Sequence, residues 1–533
     1  MNKMTSDASL SELMNSGREY TVIDVRDEGT FTRGHLIQAS SVPLRRLEVG
    51  LASHHDLRRH KIVLCDEDGQ SDAMVAARRM ADWGFVDVSV LESGIAGWQS
   101  AGRPIYAGMH TMSKAFGEAV EVAMATPSIT PDELVRRSAA GEPVFVIDCR
   151  PHAEYAKSSL PGSVNVPGFE LPYRWSHVVP NPTVPVVVHC AGRTRSIIGA
   201  QTLIEIGVPN PVVALENGTM GWLRAGYELV PPNRQPAGFD ADFRPREDAI
   251  QIANAIRAAH SITLVDGGQV ETWRNQQADK MTYLVDVRTV QEYEAGHPEG
   301  ALHAPGGQLI QSTDKYLMLR NARVVVIDDD GLRASIAAGW LKRMGWNDVH
   351  VWPIQRESVL MEFGKEPKRL FRGSYVVSAP TISAGELAEL QSRQGADVFD
   401  LDSSVEFERM HLPGSIFVER RNLSAVVAGL EGHRVAVLVS SDGAMAGVCA
   451  SDLPVVENVR VLEGGKLAWQ ASGRPVSSGT QSVPPDIDDV WRMPLEARGD
   501  RTQNIDNYLS WEIALTEQIL TDRSVKFVLP EPH

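Results

Sequence analysis

Cysteine is scarce in this chain: 533 residues carry four, at positions 65, 149, 190 and 449. So few thiols cannot build the disulfide framework of a small secreted scaffold, and none stands at paired metal-ligand spacing. Any cysteine that matters here acts through its own sulfur. Long apolar runs are missing too. No stretch of about 18 hydrophobic residues occurs, and Met1-Asn2-Lys3-Met4-Thr5-Ser6-Asp7 lacks the apolar core of a signal peptide. The expectation is a soluble cytoplasmic protein with no membrane partner. Basic excess is the third absence: 52 Lys and Arg against 68 Asp and Glu leave a net charge of −16. Nucleic acids and anionic membranes are held by a net basic footprint, so neither is expected as the main partner, although a local positive pocket is compatible with the total.

What the chain does have is repetition. A β-rich segment ending in an acidic turn occurs four times, as Val22-Ile23-Asp24-Val25-Arg26, Val146-Ile147-Asp148-Cys149-Arg150, Leu284-Val285-Asp286-Val287-Arg288 and Val398-Phe399-Asp400-Leu401-Asp402. The marker aspartates are 124, 138 and 114 residues apart. Solenoid units run roughly 20–50 residues, so this period implies tandem globular domains with separate cores. We divide the chain into 1–108, 126–235, 245–365 and 376–478, followed by a tail, 479–533, that turns helical around Ile505 to Ile519. Linkers are expected near Gly102 to Met112, Pro231 to Asp240 and Phe363 to Ser378.

The second repeat parses most clearly. Thr130-Pro131-Asp132-Glu133 carries a capping hydroxyl, Pro at the first helical position and Glu at the third, the pattern of a capping box. Val144 to Ile147 and Val186-Val187-Val188-His189 are short β-branched runs, as expected of a parallel sheet covered on both faces. A helix is expected from Ser196, through Ile197, Ile198, Ala200, Leu203 and Ile206, to Gly207. Alternating strands and helices give an α/β fold in each domain, a mostly parallel sheet flanked by helices. Ligands bind such sheets at the carboxyl ends of the strands, where Cys190 lies.

The shared order of motifs resembles the rhodanese family of sulfurtransferases. It comprises Asp-x-Arg, then Gly34-His35-Leu36 or a relic (Ser158-Ser159-Leu160, Gly296-His297-Pro298, Met410-His411-Leu412), Val-Pro, a strand, a loop, a helix, and Leu-Glu-x-Gly before Trp98 and Trp469. The third copy lacks the last motif after Val351-Trp352-Pro353. Family members carry a catalytic cysteine at the start of a six-residue loop. Aligned by their strands, the four loops are expected to begin at Cys65, Cys190, Ile327 and Val439, leaving copies three and four without a nucleophile. The commoner family loop has Gly fourth and a basic residue sixth; Cys190-Ala191-Gly192-Arg193-Thr194-Arg195 keeps the sixth-position Arg and moves Gly to third.

The resemblance implies a ping-pong sulfurtransferase. Cys190 attacks the outer sulfur of thiosulfate or a related anionic persulfide donor and holds it as a persulfide. A thiol, a protein thiol or cyanide then takes that sulfur, with no metal or organic cofactor. The residues suit that chemistry. A thiol attacks sulfur as thiolate, which a helix N-terminus and a nest of loop N–H groups favour. Arg193 and Arg195 supply permanent charge for an anionic donor, with Ala191, Gly192, Thr194 and Ser196 completing the candidate site. Cys65 is a second candidate site, weakened by the carboxylates of Asp66-Glu67-Asp68. Cys149 and Cys449 read as packing residues, and Glu170, Tyr173, Arg174 and Trp175 as a candidate rim for the site. The Asp-x-Arg pairs and His35, His297 and His411 recur in copies with and without cysteine, which points to scaffolding; the tail's Trp491, Tyr508 and Trp511 read as cover for domain surfaces. Two other functions fit the residues: a rhodanese-like scaffold with little turnover, and a phosphatase of the same fold. Phosphatase loops place Arg six positions after Cys, where this chain has Ser196.

Overall fold

The computed structural model describes residues 3–179, 181–232, 248–276, 280–354, 361–365, 371, 379–430, 434–453 and 458–531. Among the described residues there are four five-stranded sheets, one per repeat, each with the same strand order and parallel neighbours throughout. In the second domain the spatial order is Ser128–Ile129, Val212–Leu215, Val186–His189, Phe145–Asp148 and Val164–Asn165. Helices cover both faces, giving the expected α/β architecture. The third domain adds an antiparallel pair, His297–Pro298 with Met361–Glu362.

The central strand shows why these runs are continuously apolar. Val186 and Val188 face a core with Ala200, Leu203 and Trp175, whereas Val187 faces the other side, against Leu134, Leu215 and Trp222. A strand buried on both faces has no polar side to alternate with.

Local signals hold with instructive exceptions. Thr130 accepts a hydrogen bond from the Glu133 N–H at 3.2 Å and Pro131 opens the helix Pro131–Ala139. The Glu133 carboxylate, however, turns to Arg136 and Arg137 at 2.6 and 2.7 Å, so only half of the expected capping box forms. Complete boxes occur at Thr289 and Glu292, Ser383 and Glu386, and Ser403 and Glu406.

The recurrent acidic turns are scaffolds. Arg26, Arg150 and Arg288 each hold the aspartate two residues earlier and donate to a backbone carbonyl, of Gly34, Ser158 and Gly296 respectively. In the fourth domain Asp402 replaces the arginine. There Lys466 supplies the missing cation from a later helix, 3.0 Å from Asp400 and 2.8 Å from Asp402, and donates to the Met410 carbonyl. His35, His297 and His411 each stack on the aromatic residue four positions earlier, with Nδ1 against that residue's carbonyl.

Two elements tie the domains together. A helix at Thr111–Met124, where only a linker was expected up to Met112, packs against the helix that follows the Cys190 loop. A C-terminal helix, Arg501–Leu520, packs on this linker helix. The other two expected linkers lie largely outside the described residues.

Candidate active site

Sheet register decides which residue of each domain stands in the nucleophile position. Asp24 pairs with Cys65, Asp148 with His189, Asp286 with Ile327 and Asp400 with Val439. Cys65 therefore corresponds to His189, and the residues equivalent to Cys190 are Asp66, Asp328 and Ser440. The expected alignment, which started the loops at Cys65, Ile327 and Val439, is one residue early in those three copies. It matched a cysteine to a cysteine, but hydrogen-bonded pairing sets the register, and a shift of one reverses the face each side chain occupies. Cys65 accordingly lies in the core with no exposure, its thiol toward the Ile23 carbonyl at 3.6 Å. Burial, with Asp24 and Asp66 adding to it, pushes that thiol well above its usual range. As a second site Cys65 has neither the position nor the electrostatics.

The corrected register also shows what the nucleophile position does when it holds no thiol. Asp66 accepts hydrogen bonds from the N–H groups of Gly69 and Ala73 at 2.6 and 2.8 Å; Asp328 accepts from Gly331 and Ala334 at 2.6 and 3.0 Å. Ser440 accepts from Ala446 at 3.1 Å. In two domains a carboxylate takes a pair of backbone N–H groups there, and in a third a hydroxyl takes one. The loop start is a seat for an acceptor atom, and in the second domain the residue there is Cys190.

The second loop is also wound differently. Its fourth residue is Arg193, at φ −121°. Gly69, Gly331 and Gly443 hold that place in the other copies with φ of 72°, 89° and 85°, a left-handed conformation that glycine adopts without a Cβ penalty. The following helix starts at Thr194, two residues earlier than expected, and runs to Glu205. Cys190 is 2% exposed, and its Sγ lies 3.4 Å from Ser196 Oγ.

Neither arginine is free. Arg193 reaches the linker helix, donating to Glu118 at 2.7 Å and to Glu121, and donates to Asn217 at 3.1 Å. Arg195 forks onto Glu154 at 2.7 and 2.9 Å, with Gln308 of the third domain at 3.3 Å. The third domain, which has no thiol, repeats that pair as Arg333 with Glu292 at 2.8 Å. Ala191 and Gly192 form the turn between, with Ala191 packed under Tyr508. Thr194 donates to Glu512 at 3.0 Å.

Two residues of this cluster, Lys114 and Glu512, carried no signal in the sequence. Lys114, on the linker helix, pairs with Glu512 of the C-terminal helix at 3.2 Å and lies 5.8 Å from the Tyr508 ring. Burial alone would lower the Lys114 pKa, but Glu512, Tyr508 and Cys190 together hold it above the usual lysine value. Residue 114 sits in an interdomain segment and residue 512 in the tail, so no local pattern joins them to position 190. Tyr508 was expected only to cover a domain surface; it also sits on the loop.

Three carboxylates, Glu118, Glu121 and Glu512, thus face two cations, Arg193 and Lys114. The deficit of positive charge appears at Glu118, which burial, aided by Glu512 and Glu121 and opposed by Arg193, pushes up to about 7. The fold holds this proton more tightly than the unfolded chain does. The group's stabilising contribution is therefore complete below the ordinary value of 4.5 and is lost as pH rises through about 7. In thermal melts across pH 5 to 8, Glu118→Gln is expected to flatten the decline that the native chain shows over that window.

The other sequence candidates resolve plainly. Cys149 is 2% exposed in the same core cluster as Cys190; burial, then the neighbouring Cys190, push its thiol well above its usual range. His189, directly before the nucleophile position, is fully buried near Asp148 at 3.8 Å, and burial lowers its pKa. Cys449 lies in the core of the fourth domain. The aromatic stretch expected at the rim is instead the contact between the second and third domains: Glu170 pairs with Arg333 at 2.6 Å, Arg333 lies 4.1 Å from the Tyr173 ring, and Trp175 is core.

Comparison with known proteins agrees with the fold. The Rhodanese-like domain family model matches residues 6–101, 130–225, 269–352 and 383–472. A crystal structure of thiosulfate sulfurtransferase from Pseudomonas aeruginosa is 35% identical, with a TM-score of 0.90 over 99% of this chain and 100% of that one. Among curated proteins, an HTH-type transcriptional regulator of Mycobacterium tuberculosis is 32% identical over 102 residues, 19% of this chain and 44% of that protein. The tRNA uridine(34) hydroxylase of Shouchella clausii is 27% identical over 101 residues, 18% of this chain and 30% of that protein. The chain spans less than half the length of these two curated relatives. With four sheets of one topology and four matches to one family, the chain belongs to the rhodanese family, as four rhodanese-like domains in tandem.

Proposed function

We propose that this protein is a sulfurtransferase with one working centre, in which Cys190 takes a sulfane sulfur from thiosulfate or a related anionic persulfide donor and passes it to a thiol or to cyanide. The observation that carries this reading is the shared seat. The position filled by Asp66 and Asp328, whose carboxylates gather loop N–H groups, is filled in the second domain by a thiol. A seat that accommodates a carboxylate suits a thiolate or a persulfide, both of which are anions in need of donors. The likeness along the whole chain to a thiosulfate sulfurtransferase supports the same reading.

Cys190 attacks the donor's outer sulfur, the sulfur–sulfur bond of the donor breaks, and sulfite or a thiol leaves. The acceptor then attacks the persulfide's outer sulfur and Cys190 returns as thiolate. Sulfur is the carried group, so the cycle uses no metal or organic cofactor. Arg193 and Arg195, tied to glutamates, serve this reading by fixing the loop and offsetting negative charge; Lys114 brings a third cation from outside the domain. Domains one, three and four then act as supports that bring the linker and C-terminal helices to the second domain's loop.

Incubation with thiosulfate is expected to add one sulfur mass to the intact protein, discharged by cyanide, while an aryl phosphate releases no phosphate. Phosphate release that disappears in Cys190→Ser would establish the phosphatase instead, and an unchanged mass with every sulfane donor would favour the scaffold.

A further inference from the structure

Glu512 is the least satisfied charged group around the loop. Its side chain has no exposure. One oxygen, Oε1, takes both the Thr194 hydroxyl at 3.0 Å and the Lys114 ammonium at 3.2 Å. The other, Oε2, is buried with no hydrogen-bond partner among the described residues and stands 3.2 Å from where a Cβ on Gly192 would lie, two residues from Cys190. A buried carboxylate oxygen without a donor is costly, and against the loop that follows Cys190 it is a group that a bound molecule's donor would complete. What it lacks is a hydrogen-bond donor, so the missing partner carries a proton. An anionic sulfur donor has none to offer; a neutral acceptor thiol has one.

Resting on the sulfurtransferase reading above, we propose that Glu512 is a catalytic residue of the second half-reaction, the base that takes the S–H proton of the acceptor thiol. The proton passes to Oε2 as the acceptor's sulfur bonds to the outer sulfur of the Cys190 persulfide. The bond between that sulfur and Sγ breaks with its electron pair left on Sγ, so the acceptor departs as a persulfide and Cys190 as thiolate. Cys190 is reduced as the acceptor's sulfur is oxidised, and Glu512 releases its proton to water before the next cycle. The titratable groups facing Glu512 are Lys114 and Glu118 of the linker helix, Arg193 of the loop, and Tyr508 of its own helix, and Lys114 and Tyr508 in turn face Cys190. The assignment also gives the tail a reason to lie on the loop: it delivers a base that the four repeats do not carry.

The test separates the half-reactions. Full-length native protein and Glu512→Gln are loaded with thiosulfate, the persulfide on Cys190 is quantified by intact mass, free donor is removed, and single-turnover discharge by 2-mercaptoethanol is followed from pH 6 to 9.5. Equal loading is expected in both proteins, with discharge of Glu512→Gln slower by about 10²-fold near pH 6.5, within the range of general-base effects. That gap should close as pH passes the thiol's own pKa, where solution supplies thiolate, and Glu512→Asp should recover part of the loss. Discharge by sulfite at pH 8, an acceptor with no proton to give up, should be alike in both. Equal rates with the thiol at every pH overturn the proposal, as does a loss independent of pH or shared by sulfite, which marks a structural role. A native protein that never acquires sulfur removes the underlying reading and this assignment with it; normal loading with unaltered thiol discharge removes the base alone.

Discussion

Cys190→Ser is expected to abolish persulfide formation and to lower thiosulfate-to-cyanide transfer by about 10³-fold or more, because a ping-pong cycle without its carrier atom has no covalent route. Cys65→Ser and Cys449→Ser, assayed alongside, are expected to keep turnover within about twofold when corrected for folded fraction, since both thiols lie in cores outside the second domain. Oxygen is a poor sulfur carrier, but its volume fits the seat, as Ser440 demonstrates in the fourth domain. The serine variant should therefore fold, which separates lost chemistry from lost structure. Activity surviving in Cys190→Ser and vanishing in Cys65→Ser would reverse the assignment made from register.

Arg333→Ala is expected to be the most damaging single change for stability. Its guanidinium is fully buried, bonded to Glu170 of the second domain at 2.6 Å and to Glu292 at 2.8 and 3.2 Å, and set over Tyr173. Removing the cation leaves two carboxylates at a domain contact whose remaining partners among the described residues are Arg174, 2.7 Å from Glu170, and the Thr289 N–H and hydroxyl on Glu292. The expected loss is about 3–5 kcal/mol, as for a broken buried pair. A four-domain chain need not unfold in one step, so the appropriate readout is amide exchange along the helix Leu332–Arg343 and the helix Glu170–Val178, both of which should lose protection. The homologous change Arg195→Ala should cost less, because Glu154 is 36% exposed on its side chain and water can solvate it once the arginine is gone. A smaller effect at Arg333 than at Arg195 would refute this ranking.

Much of the architecture was legible in the residues because it rests on local chemistry. Buried parallel strands need β-branched runs, helices need caps and a periodic apolar face, and a four-fold recurrence of an acidic turn after a β-rich run, Asp-x-Arg in three copies and Asp-x-Asp in the fourth, exposes the repeat. The scaffold role of those turns was also legible, since they persist where no cysteine does. The half-formed box at Thr130 and the helix beginning at Thr194 mark the limit of such signals. Glu133 had nearer partners in Arg136 and Arg137, and helix ends answer to neighbours as well as to sequence.

By itself, then, the sequence determined four α/β units of one family and a loop in which a thiol stands among arginines. Only the tertiary structure decided that Asp66 rather than Cys65 shares the place of Cys190, because pairing between strands fixes register and no single strand contains it. It likewise decided that Arg193 and Arg195 are bound by glutamates, and that Lys114, Tyr508 and Glu512 surround the loop. These residues come from a linker and a tail far apart along the chain, and electrostatic pairing acts through space between groups that folding brings together, which periodicity and spacing cannot report.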